Sequence, residues 1–244
     1  MNEFTELRAS NYEQYRWLCD DLFAKWIVNK ISPYGKTILD VGCGNGFMFR
    51  YYRGAFSDIS AIEPSEFFYV DLIKKHGKHI TLKKAYAEDI PFEDKSVDIA
   101  IAKSSLHHFN NSKQGLDEMR RVAKKMVAVI EVVTPSLNTL KFMAEILPKK
   151  EKGRKKKTIY TANSLKRELL SSFSDKRIFQ LLYDQYINVD IWLKYSDLEE
   201  IEKESIYRKI NESSDLIKDE LHIRQYNNSL VMLRRMCLSL IELQ

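Results

Sequence analysis

The chain has 244 residues, 44% of them hydrophobic and 30% charged, which suits one α/β domain with a covering segment better than two independent domains. No apolar run approaches the roughly 20 residues needed to cross a bilayer, and the opening MNEFTELRASNYEQYRW lacks the basic and apolar regions of a signal peptide. A cytoplasmic protein without a transmembrane segment is therefore expected. The cysteines Cys19, Cys43 and Cys237 are odd in number and far apart, which argues against disulfides and against a bound metal. The net charge is +5, yet residues 149–157 (KKEKGRKKK) hold seven Lys or Arg against one Glu. Basic charge confined to one segment argues against a broad nucleic-acid-binding face.

Residues 11–30 place Leu18, Leu22 and Trp26 on one helical row with Cys19, Phe23 and Ile27 beside it, an amphipathic helix ended by Ser32-Pro33-Tyr34-Gly35. A short apolar run, KTILDVGCGNG, closes in glycines. A helix FMFRYYR and a second strand DISAIEP complete a βαβ rhythm. A helix around Leu72 and Ile73 leads to a third strand, HITLKKA, and SVDIAIAK makes a fourth. KQGLDEMRRVAKK reads as a helix and MVAVIEVV as a fifth, fully buried strand. A helix over 136–147, stopped at Pro148, precedes the basic run, and Thr161 is placed to cap another helix reaching Phe173. KRIFQLLYDQYINV and LVMLRRMCLSLIEL are the sixth and last strands. The charged stretch 196–224 between them is helical in composition, and an insertion of that length where a tight hairpin would serve suggests function.

Glycine is scarce, eight residues in all, and three fall at positions 42, 44 and 46. There a strand must turn sharply into a helix and let a ligand approach the backbone. Glu63 closes the second strand about 20 residues later, the spacing of an acid that accepts from ribose hydroxyls. A dinucleotide fingerprint would require Gly or Ala at 47, where this chain has Phe47, and no P-loop motif occurs. A nucleoside-containing cofactor other than NAD is expected.

These residues, ILDVGCGNG (38–46), AIEP (61–64) and AEDIPFEDKSVDIAIAKSSLHHF (87–109), resemble the class I S-adenosylmethionine-dependent methyltransferases, of the type that includes the ubiquinone and menaquinone biosynthesis enzymes. The resemblance covers about 36–134. It implies S-adenosyl-L-methionine as cofactor, with Asp40, Gly42 and Gly44 at its methionine end, Glu63 on the ribose, Ala87 and Glu88 at the adenine edge and Lys103 close by. It also implies a role for Tyr15 in closing over the cofactor. One departure is Tyr86, where the family often has Asp.

The expected fold is a Rossmann-like, doubly wound seven-stranded sheet with the last strand antiparallel, plus a helical lid. Within the single domain, 1–31 is a helical lid, 36–134 the cofactor core, 135–175 a basic lid segment and 176–244 the final strands with the insertion 196–224. His107 and His108 follow the fourth strand and either could take a proton from the methyl acceptor. Tyr186, Gln185 and Trp192 are expected to line the acceptor pocket, although Trp192 equally suits a core. The expected acceptor is an O or N atom of a small molecule or short peptide, with the basic run favouring an anionic one. A tRNA or rRNA methyltransferase using that run as a phosphate clamp, and a non-catalytic cofactor-binding scaffold, are the alternatives. Oligomeric state is left open.

Overall fold

A computed structural model describes residues 21–146, 159–194, 198–226 and 228–243. The first helix, α1 (Asp21–Ile31), buries Phe23, Ala24, Ile27, Val28 and Ile31. The row through Leu22 is not the buried one, because Leu22 is 67% exposed. The inward face is rotated one residue further, onto the β-branched Ile27 and Ile31. A 3-10 turn over Ser32–Tyr34 then ends the helix at Pro33.

The βα units follow as β1 (Thr37–Val41), α2 (Phe49–Tyr52), β2 (Asp58–Ile62), α3 (Glu66–His76), β3 (Thr81–Lys83), β4 (Val97–Lys103), α4 (Ser112–Val122) and β5 (Ala123–Thr134). The third strand is shorter than HITLKKA suggests, and β5 begins at Ala123, inside the expected helix. The chain continues with α5 (Leu137–Ile146), β6 (Tyr160–Thr161), α6 (Ala162–Phe173), β7 (Ile178–Asn188), α7 (Val189–Lys194), α8 (Glu200–Asn211), α9 (Asp215–Glu220), β8 (Arg224–Tyr226) and β9 (Ser229–Glu242). Thr161 caps α6 as its position predicts: its hydroxyl accepts from Ser164 N–H at 3.1 Å, and Ser164 Oγ accepts from Thr161 N–H at 2.8 Å.

The main sheet runs β3-β2-β1-β4-β5-β9-β7, with β6 beside β5 and β8 beside β9. Strands β1 to β5 are parallel, and β9 is antiparallel to both β5 and β7. The seven expected strands form this path and the last is antiparallel as expected. The two further strands, β6 and β8, span two and three residues, too few to carry a periodic signal. Strand β6 pairs with Val133 and Thr134, beyond the point where β4 stops pairing at Ile130.

Both faces of the sheet are covered, which is why β4 and β5 are almost wholly apolar. On one face α1 to α3 pack Phe23, Ile27, Phe49, Tyr52 and Leu72 against Ile38, Ile99 and Met126. On the other, α4 and α6 place Leu116, Met119, Leu165 and Phe173 over Leu39, Val127 and Val129. A third, separate core joins α5 and α7 to α9 to the overhanging ends of β7 and β9, through Ile146, Ile187, Leu193, Ile206, Ile210, Leu230 and Met232. It stands above the carboxyl edge of the parallel strands, where ligands bind in doubly wound sheets.

At the opposite edge, Asp98 ties three strands together. Its Oδ2 accepts from Lys36 N–H at 2.7 Å and Thr37 N–H at 3.3 Å, its N–H donates to Thr37 Oγ1 at 2.7 Å, and its Oδ1 meets Lys125 Nζ at 3.1 Å. Asp98→Ala leaves the Lys36 and Thr37 N–H groups, at the start of β1, without this acceptor and should cost about 1–3 kcal/mol. Urea unfolding checks this; an unchanged midpoint would contradict it.

Candidate functional site

The strand β1 ends at Val41 and the chain reverses through Gly42, Gly44 and Gly46, with φ of +73°, +57° and +71°. The turn is anchored from β2: the carbonyl of Ile62 accepts from Gly42 N–H at 2.9 Å and Cys43 N–H at 3.2 Å. At Gly46 a Cβ would lie 2.7 Å from the Phe49 ring and from Leu72, so a side chain is excluded by both packing and backbone. At Gly44 a Cβ would meet nothing within 4 Å. Glycine there leaves the backbone bare toward open space, as close approach of a ligand requires.

Glu63 stands at the end of β2, 6% exposed. Its Oε2 accepts from Gly44 N–H at 2.8 Å and its Oε1 from Ser65 N–H at 2.9 Å. Burial pushes its carboxyl upward, and these two N–H donors pull it back. Since a carboxylate offers about four acceptor positions, Glu63 can hold the loop and still accept from a diol.

Asp40 is buried one residue before the turn. Its Oδ2 accepts from Tyr52 O–H at 3.2 Å, while its Oδ1 is buried with no hydrogen-bond partner among the described residues. Burial raises its pKa to about 7; the Tyr52 hydroxyl and the Lys103 ammonium oppose the rise and Glu63 adds to it. An orphaned acidic oxygen beside an open glycine turn suits a ligand carrying positive charge and N–H donors. Cys43, within the turn, is held as a thiol by burial and by Asp40 and Glu63, which does not suit a nucleophile.

Strand β4 delivers Lys103, then Ser104 at φ +53° with a buried hydroxyl that has no partner among the described residues. Neither feature of Ser104 has a sequence signature. A left-handed non-glycine residue of this kind stores strain and gathers at functional sites. Ser105 donates from Oγ to the Val41 carbonyl at 2.8 Å, and its Cβ lies 2.9 Å from where a Gly42 Cβ would be. The 3-10 turn Leu106–His108 is thereby pinned to the glycine loop.

His107 and His108 part company in this turn. His107 Nδ1 lies 2.7 Å from Glu131 Oε2, with side chains 7% and 2% exposed, whereas His108 is exposed and its ring sits 4.1 Å from that of His107. Glu131 escaped the sequence reading, although a lone carboxylate inside MVAVIEVV was a visible signal. Ala87 is buried near Gly115 of α4. Glu88 accepts from Asn111 N–H at 2.9 Å, and Tyr86 is exposed.

The residues expected to line the acceptor pocket do not converge. Gln185 and Tyr186 are successive residues of β7 and so face opposite sides of the sheet. The Tyr186 hydroxyl lies 2.8 Å from His222 Nδ1, and its ring lies under Arg224. Gln185 keeps a buried Nε2 without a partner among the described residues. Trp192 packs against the third core. Tyr15 and the basic run 149–157 lie outside the described residues. No helix among the described residues is long and apolar enough to cross a membrane.

Residues 39–130 match the family model described as "Methyltransferase domain". Among curated proteins, the ubiquinone/menaquinone biosynthesis C-methyltransferase UbiE of a Geobacter species is 34% identical over 82 residues, 31% of this chain and 35% of that protein. The uncharacterized protein YafE of Escherichia coli is 37% identical over 60 residues, 24% and 29% of the two chains. The matches thus span about a third of these relatives' length. In structure the chain is similar to YcgJ of Bacillus subtilis, with a TM-score of 0.76 at 16% identity over 90% of this chain and 97% of that one. The [4+2]-cyclase SpnF aligns with a TM-score of 0.57 at 15% identity over 89% and 80%.

Two outcomes test the site's energetics. Gly46→Ala should destabilise the fold by about 1–3 kcal/mol, through left-handed strain and the clash with Phe49 and Leu72; Gly44→Ala, with open space, should cost only the strain, about 1–2 kcal/mol. Asp40 holds a proton when folded that an unfolded Asp, with pKa about 3.9, has lost. Between about pH 4 and 7 the folded state therefore binds more protons, and stability falls as pH rises. Asp40→Asn should remove that slope, so urea unfolding at pH 5, 6, 7 and 8 should show the variant gaining on the unmodified protein up to pH 7; parallel profiles would contradict it. The match over residues 39–130 is to a methyltransferase-domain model, and the chain carries that segment in a Rossmann-like, doubly wound fold similar to that of YcgJ.

Proposed function

We propose that the protein is an S-adenosylmethionine-dependent methyltransferase acting on an O or N atom of a small molecule or short peptide. The observation that carries this reading is the orphaned Asp40 Oδ1 beside the open Gly44 turn, with Glu63 bonded to the same turn. The donor set fits the cofactor: Asp40 suits the ammonium of the methionine end, the turn its close approach, and Glu63 the ribose hydroxyls. When bound, the cofactor supplies a methyl group on a positively charged sulfur. The protein's task is then to position the acceptor in line and to exclude water, which supplies much of the rate in such transfers.

His107, pinned to the glycine loop through Ser105, is the candidate for receiving a proton that the acceptor sheds. The third core over the carboxyl edge, with α5 and the insertion 196–224, is the part of the chain we assign to choosing the acceptor as a lid; α1 and α6, expected in that lid, pack instead on the two faces of the sheet. UbiE is by name a C-methyltransferase. Its match spans only 31% of this chain, too little to bring a carbon acceptor with it.

Titration calorimetry should show S-adenosylmethionine binding that tightens as pH rises toward and past 7, with proton release visible as a buffer-dependent heat. Asp40→Asn should abolish the proton release, and Gly44→Ala should lower affinity at least about tenfold by filling the ligand's space. No heat on titration would end the enzyme reading. With methyl-labelled cofactor and extract of the cell of origin, label should enter the small-molecule or peptide fraction on O or N. Label found only in RNA, or on carbon, would reject the acceptor proposed.

A further inference from the structure

We propose that Glu131 is the positioning residue of this site: its carboxylate holds the His107 ring by Nδ1, so that Nε2 presents a bare lone pair to the proton leaving the acceptor. The inference rests on the methyltransferase reading and names a part of its machinery that the chain's motifs do not mark.

The geometry is specific. A neutral imidazole has one donor and one acceptor nitrogen, and a carboxylate only accepts. With Nδ1 at 2.7 Å from Oε2, the proton of the neutral ring is on Nδ1 and the lone pair on Nε2. The second oxygen, Oε1, faces the backbone N–H of His107 at 3.4 Å. The ring and its own peptide are thus addressed by one buried carboxylate. Neighbouring Tyr160 supplies no charge, because burial together with Glu168 and Glu131 pushes its hydroxyl upward.

A fold device is a poor account of this pair. Glu131 shares its face of β5 with Val127, Val129 and Val133 in the second core, and a buried ion pair replaced by apolar residues of similar volume is often neutral or stabilising. What the pair does supply is a fixed tautomer at a fixed place, on a turn that Ser105 ties to Val41 at 2.8 Å. The charge also stabilises the imidazolium that forms. In the step, Nε2 takes the acceptor's proton, the acceptor's electron pair bonds the methyl carbon, and the C–S bond breaks with its pair left on sulfur. The imidazolium later gives its proton to water. The 2.7 Å contact with Glu131 is what selects His107 from the pair.

The chain has five histidines, so two-bond proton–nitrogen spectra of histidine-labelled protein at pH 9 can resolve each neutral ring. His107 should appear with Nδ1 protonated and Nε2 bare, and Glu131→Ala should shift it toward the Nε2-protonated form. Glu131→Gln should keep the thermal midpoint and the S-adenosylmethionine affinity within about twofold. Its turnover on the acceptor found in the labelling experiment should fall at least about tenfold, with the alkaline side of the pH profile altered. An unmodified protein with His107 bare at Nδ1 overturns the proposal without recourse to any variant. Full turnover in a folded Glu131→Gln also overturns it, leaving the pair as packing. Failure to bind S-adenosylmethionine would instead sink the underlying reading, and the two failures are separately visible.

Discussion

The site depends on one constraint: a left-handed reversal after β1 that is gripped from two neighbouring strands at once. From β2 come the Ile62 carbonyl and the Glu63 carboxylate; from the segment after β4 comes Ser105, bonded to Val41. Each grip uses a backbone N–H or C=O of the turn that would otherwise lack a partner in a half-buried place. The same bonds place an acid, a bare peptide and a histidine turn at one end of the sheet. The β1–β4 boundary is also where strand order reverses, so the chain leaves in opposite directions there and a crevice opens between the departing loops.

Around that crevice the protein buries three carboxyl groups, Asp40, Glu63 and Glu131. Asp40 has one oxygen unpartnered among the described residues, Glu63 is satisfied by peptides and Glu131 by an imidazole. Buried carboxylates without full pairing are costly unless protonated or met by a cation. A ligand with a sulfonium and an ammonium offers that compensation. Asp40, with its raised pKa, is the group that can exchange a proton for it.

The fold alone does not decide the chemistry. A protein named as a [4+2]-cyclase shares this architecture, and unrelated reactions recur on one fold because function lies in the side chains grafted on it. In this chain the carboxyl end of the sheet carries the His107–Glu131 pair and, above it, the third core. That core has its own apolar interior, built from the helices together with Ile187 of β7 and Leu230 and Met232 of β9.

Much of this was legible in the residues. Three glycines in five positions announced the reversal, the alternation of apolar runs and amphipathic stretches gave the parallel order, and Thr161 announced its helix, because each depends on backbone preferences acting over a few residues. Strands β6 and β8 were not legible, being defined only by a neighbour to pair with. The stripe of α1 was legible through Phe23, Ile27 and Trp26, but not its centre, which lies on Ile27 and Ile31 and leaves Leu22 exposed. Sequence placed His107 and His108 side by side without ranking them; the register of β4 against β5 did so by bringing Glu131, 24 residues away, within 2.7 Å of one ring. Gln185 and Tyr186 were likewise grouped by adjacency and separated by the pleat. Local spacing determines how the backbone bends, whereas the partner of a buried charge is set by strand order, which is a property of the whole sheet.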